Sequence, residues 1–110
     1  MEDNCIFCKI VDGRLPADFL YEDDDLVVFK DKYPQAPVHL LIVPKKHIRS
    51  VNDVMPDDRD ILGNMIFAGK KMAKNQEIDR SGYRLLMNVE KGGGQLIFHI
   101  HLHLLGGWKR

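Results

Sequence analysis

The chain lacks any apolar run long enough to cross a membrane, and its opening, Met1-Glu2-Asp3-Asn4, has no secretory signal. These absences lead to the expectation of a cytoplasmic protein that does not act on membranes. Net charge is also missing: 16 Lys plus Arg balance 16 Asp plus Glu. No global basic field exists to draw nucleic acid, so any bound phosphate must be held by local groups. Cysteine is scarce, with two residues three positions apart, Cys5 and Cys8. In a reducing compartment that spacing points to metal or redox chemistry over a structural disulfide. No internal repeat, low-complexity tract or composition break divides the 110 residues, so one domain over 1–110 is expected. The composition, 45% hydrophobic and 29% charged, is that of a globular chain. At this length a chain buries only roughly two-thirds of its unfolded surface, so oligomerisation would help it.

Cys5 to Val11 fits a short helix ended by Gly13. Phe19 to Glu22 and Leu26 to Lys30 read as strands, with the acidic run Glu22 to Asp25 as a solvated hairpin tip. His39 to Pro44 reads as another strand, ended by its proline. Pro56 fits a first helical turn, with Asp57 and Asp58 at the positive end of the helix dipole. Ile61, Leu62, Met65, Ile66, Gly69, Met72 and Ala73 then recur at helical spacing, which predicts one long helix to about Gln76. Gly82 precedes a strand from Tyr83 to Asn88, Gly92-Gly93-Gly94 forms a loop, and Ile97 to Leu105 is the last strand. Strands outnumber helices and the loops between neighbouring strands are short. The predicted fold class is α+β, a five-stranded, largely antiparallel sheet with one long and one short helix.

The strongest chemical signal is Phe98-His99-Ile100-His101-Leu102-His103-Leu104-Leu105. Side chains alternate along a strand, so His99, His101 and His103 share one face while Ile100, Leu102 and Leu104 set the register against the core. A solvated polar face would account for the pattern, but Lys, Thr or Glu would serve that purpose equally. Imidazole suits a nucleophile, a proton carrier or a metal ligand near neutral pH. Three charged rings on one face would repel, so at least one should stay neutral. Just before them, Gly92-Gly93-Gly94-Gln95 can be a plain flexible loop or a turn whose backbone N–H groups approach an anion closely. The C-x-x-C pair, Cys5 and Cys8, can grip a metal, run thioredoxin-like redox chemistry, or be two idle buried thiols.

His99 to Leu105 matches every position of the motif His-φ-His-φ-His-φ-φ, with φ apolar, and here the chain resembles the histidine-triad family. The Gly106-Gly107 that follows is similar to the Hint branch, the histidine-triad nucleotide-binding proteins. The similarity runs from about Cys5 to Gly107. It includes Tyr21-Glu22-Asp23, Pro34-Gln35-Ala36-Pro37, Val43-Pro44-Lys45-Lys46-His47-Ile48 and Gly94-Gln95. The resemblance implies a HIT-like fold and a homodimer in which two sheets join into one. It implies a hydrolase of nucleoside 5′-phosphoramidates, mainly purine ones. His101 attacks the phosphorus and expels an amine, and water then cleaves the nucleotidyl-histidine. By the same matching, His103 and His39 contact the phosphate and leaving group, and Asn88 and Gln95 hold phosphate oxygens beside the Gly94 backbone. Asp31 binds the ribose hydroxyls. Ile6, Phe7, Ile10, Leu15, Phe29 and Leu41 match positions around the base, where ordinary core packing explains them equally well.

The resemblance also supplies partners for the cysteines: Cys5, Cys8, His47 and His99 are implied as four ligands of a closed, structural zinc site. Two departures stand out. Leu96 occupies the place where many Hint proteins carry a serine that bonds the phosphoryl group, and the chain ends at Arg110, where relatives often extend toward the partner's site. A dinucleoside-polyphosphate hydrolase or nucleotidyl transferase of a sister branch is a second reading, against which Gly106-Gly107 speaks. A nucleotide-binding scaffold is a third, to which Leu96 lends weight.

Overall fold

A computed structural model describes residues 4–109, so Met1, Glu2 and Asp3 of the acidic start, and Arg110, lie outside the described residues. Two strands at the centre are buried on both faces. β2 (Leu26–Lys30) and β3 (Val38–Pro44) pair antiparallel, with Val28 opposite Ile42. Because side chains alternate, Leu26, Val28, Leu40 and Ile42 join one buried cluster and Val27, Phe29, Leu41 and Val43 join another. Both segments therefore read as continuous apolar runs.

The short β1 (Tyr21–Glu22) joins β2 through a tip where Asp23 Oδ1 accepts from the N–H groups of Asp25 and Leu26, at 2.8 and 2.9 Å. On the other side, β5 (Leu102–Gly106) lies between β3 and β4 (Tyr83–Leu86). The result is a five-stranded antiparallel sheet in the order β1-β2-β3-β5-β4.

Each face of the sheet has its own cover. The short helix α1 (Ile6–Val11) packs Phe7 and Cys8 onto the second cluster. Cys5 caps its start, with Sγ accepting from the Cys8 N–H at 3.3 Å. The long helix α2 (Arg59–Asn75) covers the first cluster with Met65, Ala68, Met72 and Ala73. Pro56 opens a 3₁₀ turn just before it, and the buried Asp58 carboxylate accepts from the Met55 N–H at 2.9 Å while pairing with Lys46. A Cβ at Gly69 would lie 2.9 Å from Leu85 Cδ2, so glycine is what lets α2 approach the sheet this closely.

Three strand ends differ from the expectation by two residues or more. The first strand is Tyr21–Glu22 and does not reach back to Phe19, although the Leu20 N–H still donates to the Val28 carbonyl. The last strand begins at Leu102 and not at Ile97, for a reason that lies in its neighbour. Ile42 pairs with Leu102, so Pro44 falls opposite residue 100, and proline has no N–H to give the ladder. The Ile100 N–H instead donates to the Ile48 carbonyl at 2.8 Å, and the Pro44 carbonyl faces the His99 ring. β4 accordingly stops at Leu86, opposite His103, two residues short of Asn88. The alternation survives outside the ladder. Ile100, Leu102 and Leu104 still enter the α2-side cluster, while the rings of His99 and His101 both pack against Phe7 on the α1 side.

Candidate active site and metal centre

His101 sits in the extended segment leading into β5, its ring edge-on to Phe7 with centroids 5.0 Å apart. Its Nδ1 lies 2.7 Å from the His99 carbonyl oxygen. A carbonyl can only accept, so Nδ1 carries the hydrogen and Nε2 keeps a free lone pair. Burial pushes the ring's pKa below the ordinary histidine value, which favours the neutral, nucleophilic form. His101 lines a cavity of about 660 Å³.

Behind it, a chain of hydrogen bonds sets the tautomers of two more rings. The Gln35 N–H donates to His39 Nδ1 at 3.0 Å, which leaves the hydrogen of His39 on Nε2. That atom is 2.9 Å from His103 Nδ1 and 3.2 Å from Asp31 Oδ2. His103 Nδ1 is thereby an acceptor, and its hydrogen belongs on Nε2. Among the described residues this Nε2 is the one buried side-chain nitrogen or oxygen with no hydrogen-bond partner. A buried donor left unpaired costs about 1–3 kcal/mol, so the fold holds a polar N–H in reserve beside His101, whose ring centroid is 5.0 Å away. Burial, together with the neighbouring His101 and His39 rings, pushes His103 down to about 4, so it too is neutral near pH 7.

On the other side of His101, four ligand atoms converge. Cys5 Sγ is 3.3 Å from His99 Nδ1, Cys8 Sγ is 3.3 Å from His47 Nδ1 and 3.5 Å from His99 Nδ1, and the two Nδ1 atoms are 3.2 Å apart. A tetrahedral zinc with Zn–S of about 2.3 Å and Zn–N of about 2.0–2.1 Å sets its ligand atoms roughly 3.3–3.8 Å from one another. The His99 ring is already in ligand form: its Nε2–H donates to the Pro44 carbonyl at 2.7 Å, which leaves the Nδ1 lone pair facing the sulfurs. Burial pushes His99 down to about 4 and raises the Cys5 thiol. A divalent cation would reverse that thiol shift by stabilising thiolates, so the donor set fits zinc in number, type and spacing. His99 belongs to both centres, since its ring faces the sulfurs and its carbonyl orients His101.

Residues 4–108 match the family described as "Scavenger mRNA decapping enzyme C-term binding". The chain is 46% identical over 107 residues to the purine nucleoside phosphoramidase of Escherichia coli K12, covering 97% of this chain and 90% of that protein. An uncharacterized HIT-like protein of Buchnera aphidicola is 45% identical over 104 residues, covering 94% of this chain and 93% of that protein. This chain belongs to the histidine-triad family. Its fold superposes on a HIT family hydrolase of Legionella pneumophila with a TM-score of 0.94 at 52% identity, covering 96% of this chain and 95% of that one. A zinc-bound histidine-triad protein of Mycobacterium smegmatis matches at a TM-score of 0.82 and 32% identity, covering 94% and 74% of the two chains. With hydrolases among these relatives, this histidine-triad protein is a hydrolase of α+β fold.

The structure brings most of the expected site residues to the His101 cavity. Ile6, Phe7, Ile10, Phe29 and Leu41 supply apolar lining. Asp31, Asn88, Gly94 and His103 also line it. Two expected phosphate contacts are elsewhere. Gln95 is 2% exposed, and its amide is consumed inward: Oε1 accepts from the Glu90 N–H at 2.9 Å, and Nε2 donates to the Arg49 and Ile97 carbonyls at 2.8 and 3.0 Å. In this arrangement it braces the glycine turn from inside. His39 is buried behind His103 and reaches the cavity only through that ring. Leu15 does not line the cavity either.

Two contributors escaped sequence reasoning. Gln35 acts through a backbone N–H that any residue but proline would supply, so its side chain gives no signal. Glu90 sits at φ +61°, ψ 172°, a strained conformation for a residue with a Cβ, at the start of the glycine turn. Its carboxylate is held by Arg49 at 2.7 and 3.1 Å and by Ser50 Oγ at 2.6 Å, and these bonds lower its pKa to about 2.

Proposed function

We propose that this protein hydrolyses nucleoside 5′-phosphoramidates, purine ones above all, through a nucleotidyl-histidine formed on His101. The observation that carries the reading is the pairing of tautomers. An Nε2 lone pair on neutral His101 stands beside an unpartnered Nε2–H on neutral His103, in a cavity that Phe7, Ile10, Phe29 and Leu41 also line. The base lies among Phe7, Ile10, Phe29 and Leu41, and Asp31 takes the ribose hydroxyls. His101 Nε2 attacks the phosphorus as the P–N bond to the amine breaks. The electron pair leaves on the amine nitrogen, which takes a proton from solvent. Nδ1–H stays on the His99 carbonyl, which stabilises the positive charge gathering on the ring. The His103 Nε2–H and Asn88 donate to the phosphoryl oxygens, with the Gly94 backbone close by. His39, held by Gln35 and Asp31, keeps His103 in the donating tautomer. Water then opens the P–N bond to His101 and frees the nucleotide. The phosphoramidase activity of the Escherichia coli relative supports this reading.

Cys5, Cys8, His47 and His99 hold a structural zinc. The site has no open position, and zinc binding in the Mycobacterium smegmatis relative supports the assignment. Bound there, zinc would supply cohesion, with Cys5 and Cys8 from the α1 side and His99 from the segment that carries His101 as its holders. The functional unit is a homodimer, in which the β4 edge at the end of the sheet order meets a second copy. The protein works in the cytoplasm, and no helix among the described residues is long and apolar enough to cross a membrane.

A substrate panel tests the reading. Adenosine 5′-phosphoramidate is cleaved at least about 100-fold faster, in kcat/KM, than diadenosine polyphosphates, a difference of about 2.7 kcal/mol in transition-state stabilisation. The reverse ranking would assign the chain to polyphosphate hydrolysis.

A further inference from the structure

A second cavity, of about 780 Å³, shares three walls with the first: Ile6, Leu96 and Ile97 line both. Three of the exposed large apolar side chains border it, with Ile6 at 46%, Met55 at 62% and Leu96 at 90% exposure. Scattered single apolar residues on a surface mean little, but a cluster contiguous with a reaction centre marks a binding surface. The cations around it are already engaged. Lys46 pairs with Asp58, and Arg49 pairs with Glu90 and lies 3.6 Å from Asp53 while stacking on Phe98 at 4.6 Å. An anionic ligand would find both cations already engaged, since Lys46 faces Asp58 and the single Arg49 is shared by Glu90 and Asp53. The walls are also braced: the buried Gln95 amide ties the Arg49 carbonyl to the Ile97 carbonyl, fixing the two sides of the cavity against each other.

We propose that this cavity receives the leaving group of the phosphoramidate and selects amines bearing an uncharged apolar chain over those bearing an anionic one. The inference rests on the phosphoramidase reading above and names the substrate class. The nucleotide occupies the His101 cavity, and the amine substituent crosses the ridge of Ile6, Leu96 and Ile97 toward Met55. As the His101 Nε2–P bond forms, the P–N bond to the amine breaks. Its electron pair leaves with the amine nitrogen, which takes one proton from solvent and departs as the free amine. Apolar area buried beyond the ridge is retained in the transition state, so it appears in kcat/KM.

The test is a series of adenosine 5′-phosphoramidates of methylamine, propylamine, hexylamine and 6-aminohexanoate. The three plain alkylamines have near-identical basicity, so any trend among them reports the contact and not the bond strength. The expected ratio of kcat/KM, hexylamine over methylamine, is about 10-fold or more, since each buried methylene contributes about twofold to fourfold. The aminohexanoate substrate falls well below hexylamine, because its carboxylate meets no free cation. Met55→Ser and Leu96→Ser each reduce the hexyl-to-methyl ratio at least about threefold, and Met55→Leu preserves it. The ratio is internal to each variant, so partial loss of folded protein does not affect it. Turnover of the whole series with a ratio near one, or a wild-type ratio kept by both serine variants, overturns the subsite alone. No turnover of any member overturns the phosphoramidase reading and this proposal together.

Discussion

His101→Asn turns over adenosine 5′-phosphoramidate more slowly by about 10⁴-fold or more, while nucleotide affinity stays within about threefold of wild type. The asparagine amide can keep the hydrogen bond to the His99 carbonyl that His101 Nδ1 makes at 2.7 Å, so the local backbone is undisturbed. What it removes is the atom that Nε2 provides, the lone pair facing the cavity. The apolar walls at Phe7, Ile10, Phe29 and Leu41 are untouched, so base and ribose still bind. Single-turnover kinetics and calorimetric titration with the nucleoside monophosphate separate the two effects. A variant that keeps catalysis would mean that another group attacks phosphorus. A variant that loses binding along with catalysis would mean that the ring has a structural role.

The second large effect comes from the cysteine side. Cys8→Ser lowers the metal content from about one zinc per chain and depresses the melting temperature by roughly 15–30 °C. A ligand present at about 1,000 times its dissociation constant stabilises the folded state by about 4.1 kcal/mol, and each kcal/mol shifts the midpoint of a domain near this size by about 4–8 °C. Cys8 is fully buried at 3.3 Å from His47 and 3.5 Å from His99, so on the proposed reading its loss leaves three of four ligands. Activity falls as well, because His99 is both the ligand and the anchor of His101. Elemental analysis with calorimetry of the same samples checks the result. A zinc-free wild type with an unchanged midpoint would contradict the metal assignment. His101→Asn, which removes none of the four ligand side chains and can keep the bond to the His99 carbonyl, keeps both zinc and midpoint and so serves as the control.

Local features of the chain made some elements legible. Leu26–Lys30 was read to the residue, since a run of apolar and β-branched side chains flanked by acidic turn residues has few other uses. α2 was legible from its apolar period and from Pro56 and Asp58 at its start. The beginning of β5 was not, because it depends on Pro44 lying across the ladder, a pairing some 56 positions distant that no local pattern encodes. The alternation of the histidines was nonetheless readable, since it needs only an extended backbone and a hydrophobic core on one side.

At the site, spacing alone left the cysteine pair open among three readings. It is the convergence with His47 and His99, from two other parts of the chain, that narrows it. Gln95 was expected at the phosphate from the family resemblance, which does not say which way its amide turns. Only the structure reveals three backbone groups waiting to be satisfied inside. Leu96 was noticed as a departure at the phosphoryl group, and the structure makes it the shared wall of two cavities.

The central claim is a covalent bond between His101 and the substrate's phosphorus. The direct measurement is intact and peptide mass spectrometry of protein quenched in alkali during turnover of adenosine 5′-phosphoramidate, conditions under which a phosphorus–imidazole bond survives. The account predicts an increment of one adenylyl group on the peptide containing His101, absent from His101→Asn. Active protein that never carries the increment, or carries it on another residue, would contradict it.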